Sequence, residues 1–211
     1  MASSDAVEIE TMKGARKVVA ERMKAFSHET AQVTVTRNAN VAAVLELRTE
    51  LKEAAAEDGI SPTINEIIMF CISRVLGNFP EINAVLDAEG RIERHRDVHL
   101  GFAVDAHRSP LVPVIHNANW LSLDDLSRIS KELKGRAQTG KITADELRGG
   151  TFTVSTLGAA GVHWFTPTLN TPEVGILGIG SAHVPYPGAP PQLPLSLTFD
   201  RNASPEPSAS N

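Results

Sequence analysis

Gly-Gly-Thr-Phe-Thr-Val-Ser-Thr-Leu-Gly-Ala-Ala-Gly runs from Gly149 to Gly161, Pro-Glu-Val-Gly-Ile-Leu-Gly-Ile-Gly from Pro172 to Gly180, and Leu-Ser-Leu-Thr-Phe-Asp from Leu195 to Asp200. Short apolar runs bounded by turn residues suit buried strands, so this stretch predicts three of them. Gly175, Gly178 and Gly180 fall inside the second run with no helix behind it, and the amide cradle of a phosphate loop needs that helix. Ser155 stands apart. Flanked by Thr153 and Thr156 and followed at once by Leu157-Gly158, it presents a hydroxyl on backbone that another molecule can approach closely. Such a hydroxyl could donate to an oxyanion, or it could be a structural serine closing a turn. No Gly-x-Ser-x-Gly elbow and no Ser-His-Asp order surrounds it.

Everything upstream reads as scaffold. Residues 1–12 are small and acidic without a clear period and form an N-terminal arm. Ala15, Val18, Val19, Met23 and Phe26 then recur at helical spacing, with Arg16 beside the apolar stripe. Gln32 to Arg37 alternates as a strand, with Val33 and Val35 on one face. A helix starting at Asn40 turns Val41, Val44, Leu45 and Leu51 inward and stops at Asp58-Gly59. Thr63-Ile64-Asn65-Glu66 is a capping box opening an apolar helix through Ile67, Ile68, Cys71 and Val75, and Phe79-Pro80 ends it.

Ile82–Leu86 and Arg91–Arg94 flank Asp87-Ala88-Glu89-Gly90 and predict a hairpin. Val98–Val104 and Leu111–Ile115 are two further strands, joined by a polar link that contains His107. Ser122 opens an amphipathic helix, and Thr143-Ala144-Asp145-Glu146 is a second capping box before Gly149. Pro185, Pro187, Pro190, Pro191 and Pro194 stiffen the loop ahead of the last strand, and residues 201–211 are a disordered tail with nothing to bury. About eight strands without strict strand–helix alternation predict an α+β architecture, a mixed sheet with helices on one side. Residues 13–200 form its single domain.

The chain has 211 residues, 42% hydrophobic and 21% charged, which is ample for one core. A net charge of -5 leaves no Lys/Arg stripe for nucleic acid. The lone Cys71 forms no intrachain disulfide and is expected to be a small buried hydrophobe, which fits a cytoplasmic setting. No signal-peptide core and no apolar run near the bilayer-spanning length of ~20 residues is present, so no membrane partner is expected. His95-x-Asp97-x-His99 would align three ligands if it were a strand, but Arg94 and Arg96 would repel a metal ion. A solvated strand edge and no metal are expected there. His163 and His107 each adjoin a segment that could line a cleft.

Motifs over nearly the whole chain carry a resemblance: Arg16-Lys17-Val18-Val19-Ala20-Glu21-Arg22-Met23, Phe79-Pro80-Glu81-Ile82-Asn83-Ala84, Leu111-Val112-Pro113-Val114-Ile115, Gly150-Thr151-Phe152-Thr153-Val154-Ser155, Phe165-Thr166-Pro167 and Pro172-Glu173-Val174. In this series the chain resembles the catalytic domain of the dihydrolipoamide acyltransferases of 2-oxoacid dehydrogenase complexes, similar in fold to chloramphenicol acetyltransferase. The resemblance implies a homotrimer with sites between subunits, coenzyme A or acyl-CoA as substrate, and a role for Ser155 in bonding the tetrahedral oxyanion. It places Arg16, Thr153 and Asp200 near the site as structural residues.

The family's general base is the histidine after the last strand, within Asp-His-Arg-x-x-Asp-Gly. Here Asp200 is followed by Arg201. A positioned base is worth on the order of 10²- to 10⁴-fold, so His163 and His107 are the substitutes to consider. With no lipoyl segment ahead of the domain, the preferred expectation is a stand-alone acetyltransferase of natural-product (tetronate) type, acting on a small-molecule hydroxyl. The alternatives are a dihydrolipoyl acyltransferase domain and a trimeric scaffold that has lost the base.

Overall fold

The computed structural model describes residues 30–54, 61–106 and 110–203. Its strands are β1 (Gln32–Asn40), β2 (Ala84–Leu86), β3 (Ile92–Arg94), β4 (Leu100–Phe102), β5 (Val114–Ile115), β6 (Phe152–Thr156), β7 (Gly175–Ile179) and β8 (Gln192–Asp200). Its helices are α1 (Ala42–Ala54), α2 (Ile64–Leu76) and α3 (Leu123–Gln138). Six strands form one mixed sheet in the order β1-β8-β7-β6-β4-β5, and β2 and β3 pair as a separate hairpin. Only β4–β6 and β6–β7 are parallel. Residues 149–200 thus supply three adjacent strands, β6, β7 and β8.

Strand alternation gives the sheet two unlike faces. Leu100 and Phe102 of β4, Phe152 and Val154 of β6, Leu177 and Ile179 of β7, and Leu193, Leu195 and Leu197 of β8 join one apolar cluster with Ile68, Met69 and Leu76 of α2 and Leu126 and Leu133 of α3. Side chains of this kind contribute about 1.5–3 kcal/mol each when buried, so this face holds the domain together. The opposite face carries Gly101, Thr153, Ser155, Gly178, Ser196 and Thr198. Ser196 and Thr198 are buried, and Thr198 shares a 2.7 Å hydroxyl hydrogen bond with Thr34. Polar side chains can line this face because they find partners on it.

The helices start where their caps dictate. Thr63 and Glu66 complete the capping box of α2, the Glu66 carboxylate accepting from the Thr63 amide at 2.6 Å and from the Ser127 hydroxyl of α3 at 3.1 Å. That second bond explains why Glu66 is buried at the junction of two helices. Ser122 caps α3 through the Asp125 amide. Asn40 ends β1 and takes the Ala42 amide at 3.0 Å, so α1 begins two residues later than expected.

Several expectations are corrected. Cys71 and Val75 are exposed rather than inward, on the open side of an apolar groove of about 780 Å³ that α2 forms with Phe79, Leu195 and Leu197. Periodicity located the apolar face of α2 but not how far the sheet covers it. The second capping box bends only a 3-10 turn, Asp145–Leu147, with Glu146 accepting from the Thr143 amide. His95–His99 is irregular backbone, not a strand. Ala203 is buried beside Ala84 and Val174, so packing continues three residues past Asp200. The expected arm 1–12 and the helix with Arg16 lie outside the described residues, as do His107 and residues 204–211.

Candidate functional site

Ser155 reaches its position through the register of β6. Phe152 and Val154 point to the helices, so Thr153 and Ser155 project from the opposite face. Ser155 stands opposite Gly178 of β7, which stands opposite Ser196 of β8. A side chain at Gly178 would come within 2.9 Å of the Phe165 ring, so that ring lies directly over the glycine, in the row that contains Ser155. The serine is half-buried, and its hydroxyl makes no hydrogen bond among the described residues. It is therefore a free donor at a strand end, lined by small residues and an aromatic ring.

The segment after Ser155 is pinned to the ends of β7 and β8. Leu157 donates its amide to Ile179, a 3-10 turn follows at Gly158–Ala160, and Gly161 takes φ 75°. Ser181 donates to the Val162 carbonyl at 2.8 Å. A side chain at Gly180 would run into the His163 carbonyl, so glycine is required for this close approach.

Behind the serine lies a buried polar triangle. The Thr153 hydroxyl donates to Glu173 Oε2 at 2.5 Å, and Asn170 Nδ2 donates to Glu173 Oε1 at 2.9 Å and to Thr153 Oγ1 at 3.3 Å. Thr153 and Glu173 are both buried. Burial pushes the Glu173 carboxyl up to about 7, and the bonds from Thr153 and Asn170 only partly offset it.

The other expected site residues are dispersed. The His163 ring stacks on His183 at 4.6 Å between centroids, with 22° between the planes, and no hydrogen bond joins it to Ser155. Asp200 is buried and accepts the Asn202 amide at 3.0 Å. It lies four residues along β8 from Ser196, about 13 Å down the strand from the row containing Ser155. Arg201 follows in an exposed turn. His107 and Arg16 are outside the described residues.

The Asp97 carboxylate accepts from the Trp120 indole at 2.7 Å, and His99 Nδ1 accepts the Asn117 amide. Burial, then His116 and His95, lowers the His99 pKa, so its ring is held neutral. Among the described residues no group of three or more His, Cys, Asp or Glu is placed to hold a metal. Glu173 and Asn170 were not anticipated as site residues. The available signal was a carboxylate at the start of an apolar run, where an unpaired charge is out of place.

The chain matches the family described as 2-oxoacid dehydrogenases acyltransferase (catalytic domain) over residues 4–201. It is 40% identical over 197 residues to the dihydrolipoyllysine-residue acetyltransferase component of the acetoin cleaving system of Bacillus subtilis, covering 90% of this chain and 49% of that one. It is 37% identical to the corresponding component of the pyruvate dehydrogenase complex of Staphylococcus aureus, covering 90% of this chain and 46% of that one. The chain thus spans about half the length of these relatives.

Among solved structures, the dihydrolipoamide acetyltransferase of Azotobacter vinelandii, studied for the role of a serine, a histidine and an asparagine in its catalytic mechanism, superposes with a TM-score of 0.86. That match is at 30% identity and covers 96% of this chain and 88% of that one. The cubic core of the pyruvate dehydrogenase multienzyme complex gives 0.85 at 32% identity, covering 95% and 86%. A chloramphenicol acetyltransferase gives 0.56 at 13% identity, covering 87% and 86%, a likeness of fold alone.

Proposed function

Given that the chain belongs to the 2-oxoacid dehydrogenase acyltransferase family, whose catalytic domain it matches, we propose that it moves an acetyl group between coenzyme A and the thiol of a dihydrolipoyl group. The observation that carries this reading is the free Ser155 hydroxyl at the end of β6, beside Gly178 and the Phe165 ring. The names of the relatives favour this acceptor over the small-molecule hydroxyl preferred from the sequence.

In the proposed transfer, the thiol sulfur of the acceptor gives up its proton and attacks the thioester carbonyl. The carbon–sulfur bond forms, and the carbonyl oxygen takes the negative charge. Ser155 donates a hydrogen bond to that oxyanion, a contribution worth about 10²- to 10³-fold at comparable sites. Collapse breaks the bond to the coenzyme A sulfur, which leaves as a thiolate and takes up a proton. Arg201, at the histidine's place in the family motif, is permanently charged and cannot accept the first proton. A thiol suits such a site better than an alcohol, because it is far more acidic and can lose its proton to water without a resident base.

Ser155 and Asp200 lie far apart in one chain, which supports a site completed by a second copy, in the homotrimer that the family resemblance implies. One further reading draws on Arg201 itself, namely a trimeric scaffold that keeps the fold without the chemistry. Incubation with acetyl-CoA and, separately, dihydrolipoamide or a panel of alcohols distinguishes these readings. Acetyl-dihydrolipoamide is expected from the first mixture and no ester from the others. Transfer only to alcohols would restore the hydroxyl acceptor, and neither transfer nor coenzyme A binding would leave the scaffold.

A further inference from the structure

We propose that Glu173 is a positioning residue for Ser155, locking the segment that covers the site onto the face of β6 from which the serine projects. Residues 157–173 leave β6 just after Ser155, lay the Phe165 ring over Gly178, and return to the sheet at β7. Asn170 and Glu173 close this excursion. The Asn170 carbonyl takes the Glu173 amide at 3.1 Å, and both side chains converge on Thr153, two residues before the serine and on its own face. Nothing else on the described chain ties this segment to β6 through side-chain hydrogen bonds.

The fit around the carboxyl is tight. A side chain at Gly150 would collide with Glu173 Oε1, and one at Gly101 would come within 2.7 Å of the Thr153 hydroxyl. Two glycines therefore make room for the Thr153–Glu173 pair. Displacing the pair shifts the end of β6, and misplacement of a reacting group by about 1 Å costs on the order of 10²-fold in rate.

Among the described residues, the groups that face the Glu173 carboxyl are uncharged. β6 offers Thr153, the preceding turn Asn170, and the approach to β6 Gly150 with Val114 beside it, while the β2 strand meets Glu173 through the backbone of Val85. The adjoining end of β8 carries Asp200, whose amide donates to the Val174 carbonyl next to Glu173. Among the described residues no cation faces the Glu173 carboxyl, and burial raises it to about 7 against the opposing pull of the bonds from Thr153 and Asn170. Opening the segment hydrates the carboxyl and returns it toward its ordinary 4.5, so the lock weakens as pH rises from about 4.5 to about 7.

Its kinetic consequence rests on the acyl-transfer reading, but the lock itself can be followed without activity. Trp164 lies in the covering segment and is 43% exposed; Trp120 is removed as Trp120→Phe to leave it the sole fluorophore of its kind. Acrylamide quenching of Trp164 is measured from about pH 4.5 to about pH 8 in this background, with and without Glu173→Gln or Glu173→Ala. Quenching is expected to rise with pH when Glu173 is present, to stay low throughout in Glu173→Gln, and to stay high throughout in Glu173→Ala. Every ionisable group other than Glu173 is common to all three chains, so their difference reports Glu173.

The same chains are assayed for transfer to dihydrolipoamide. Glu173→Ala is expected to lower kcat by about 10- to 100-fold with little change in KM, and Glu173→Gln to restore kcat while flattening its decline as pH rises to about 7. Identical quenching curves for all three chains overturn the lock. Normal lock behaviour with unchanged kcat in Glu173→Ala overturns its role in positioning Ser155. Normal lock behaviour in a chain with no transfer activity at all counts against the acyl-transfer reading instead, and leaves the lock established.

Discussion

A carboxyl group as enclosed as that of Glu173 ties stability to pH. In the unfolded chain it titrates near the ordinary 4.5, and in the folded chain near 7, so between those values the folded state holds the extra proton. Stability from this group is full below about pH 4.5, falls as pH rises, and is lost above about pH 7, a swing of about 3 kcal/mol. Glu173→Gln removes the swing. Chemical denaturation at about pH 5 and about pH 8 should show a smaller loss of stability in the variant than in the parent chain, and equal losses would place Glu173 in a more solvated setting. The neutral His99 titrates in both chains and cancels in the comparison. Gly180 is equally sharp at this scale. Its substitution by alanine meets the His163 carbonyl, so thermal denaturation should show a loss in the upper range for point changes, about 3 kcal/mol or more.

Elements were legible in the sequence wherever a local rule decides them. Thr63 and Ser122 announced α2 and α3 because each hydroxyl accepts an orphan amide three residues on, whereas the like pattern at Thr143–Glu146 yields only a 3-10 turn, so a cap marks a start and not a length. Thr63→Ala should accordingly cost about 1 kcal/mol in denaturant titrations, and a neutral result would mean that packing alone starts α2. The turn at Asp87–Gly90 and the three strands around Ser155 were legible for the same kind of reason. What failed depended on neighbours that no local rule specifies. Cys71 belongs to an apolar run yet is exposed, because coverage of that face of α2 depends on distant elements. His95–His99 has strand-like alternation, but His99 and Asp97 are spent on Asn117 and Trp120, and the backbone follows those bonds instead. Within the site, Ser155 could be found from its setting in the chain. Its Glu173–Asn170 support could not, since it depends on a chain return that brings Glu173 onto Thr153 from 20 residues away.

The whole molecule sets the limit on what one copy can do. The register of β6, β7 and β8 puts the Ser155 row and the Asp200 end about 13 Å apart along β8, and no bend within one chain brings them together. If the site is shared, light scattering should report a trimer. Mixed assemblies of Ser155→Ala and Asp200→Ala chains should then transfer faster than either variant alone, and failure to do so would confine the site to a single copy. The central claim is that a member of this acyltransferase family uses Ser155 as the donor to the oxyanion. Its most direct test is the rate of acetyl transfer from acetyl-CoA to dihydrolipoamide by the parent chain and by Ser155→Ala at equal concentrations of folded protein. The account predicts transfer by the parent and a fall in kcat of about 10²- to 10³-fold in the variant, with unchanged thermal stability. Equal rates in the two chains, or no transfer by either, would contradict it.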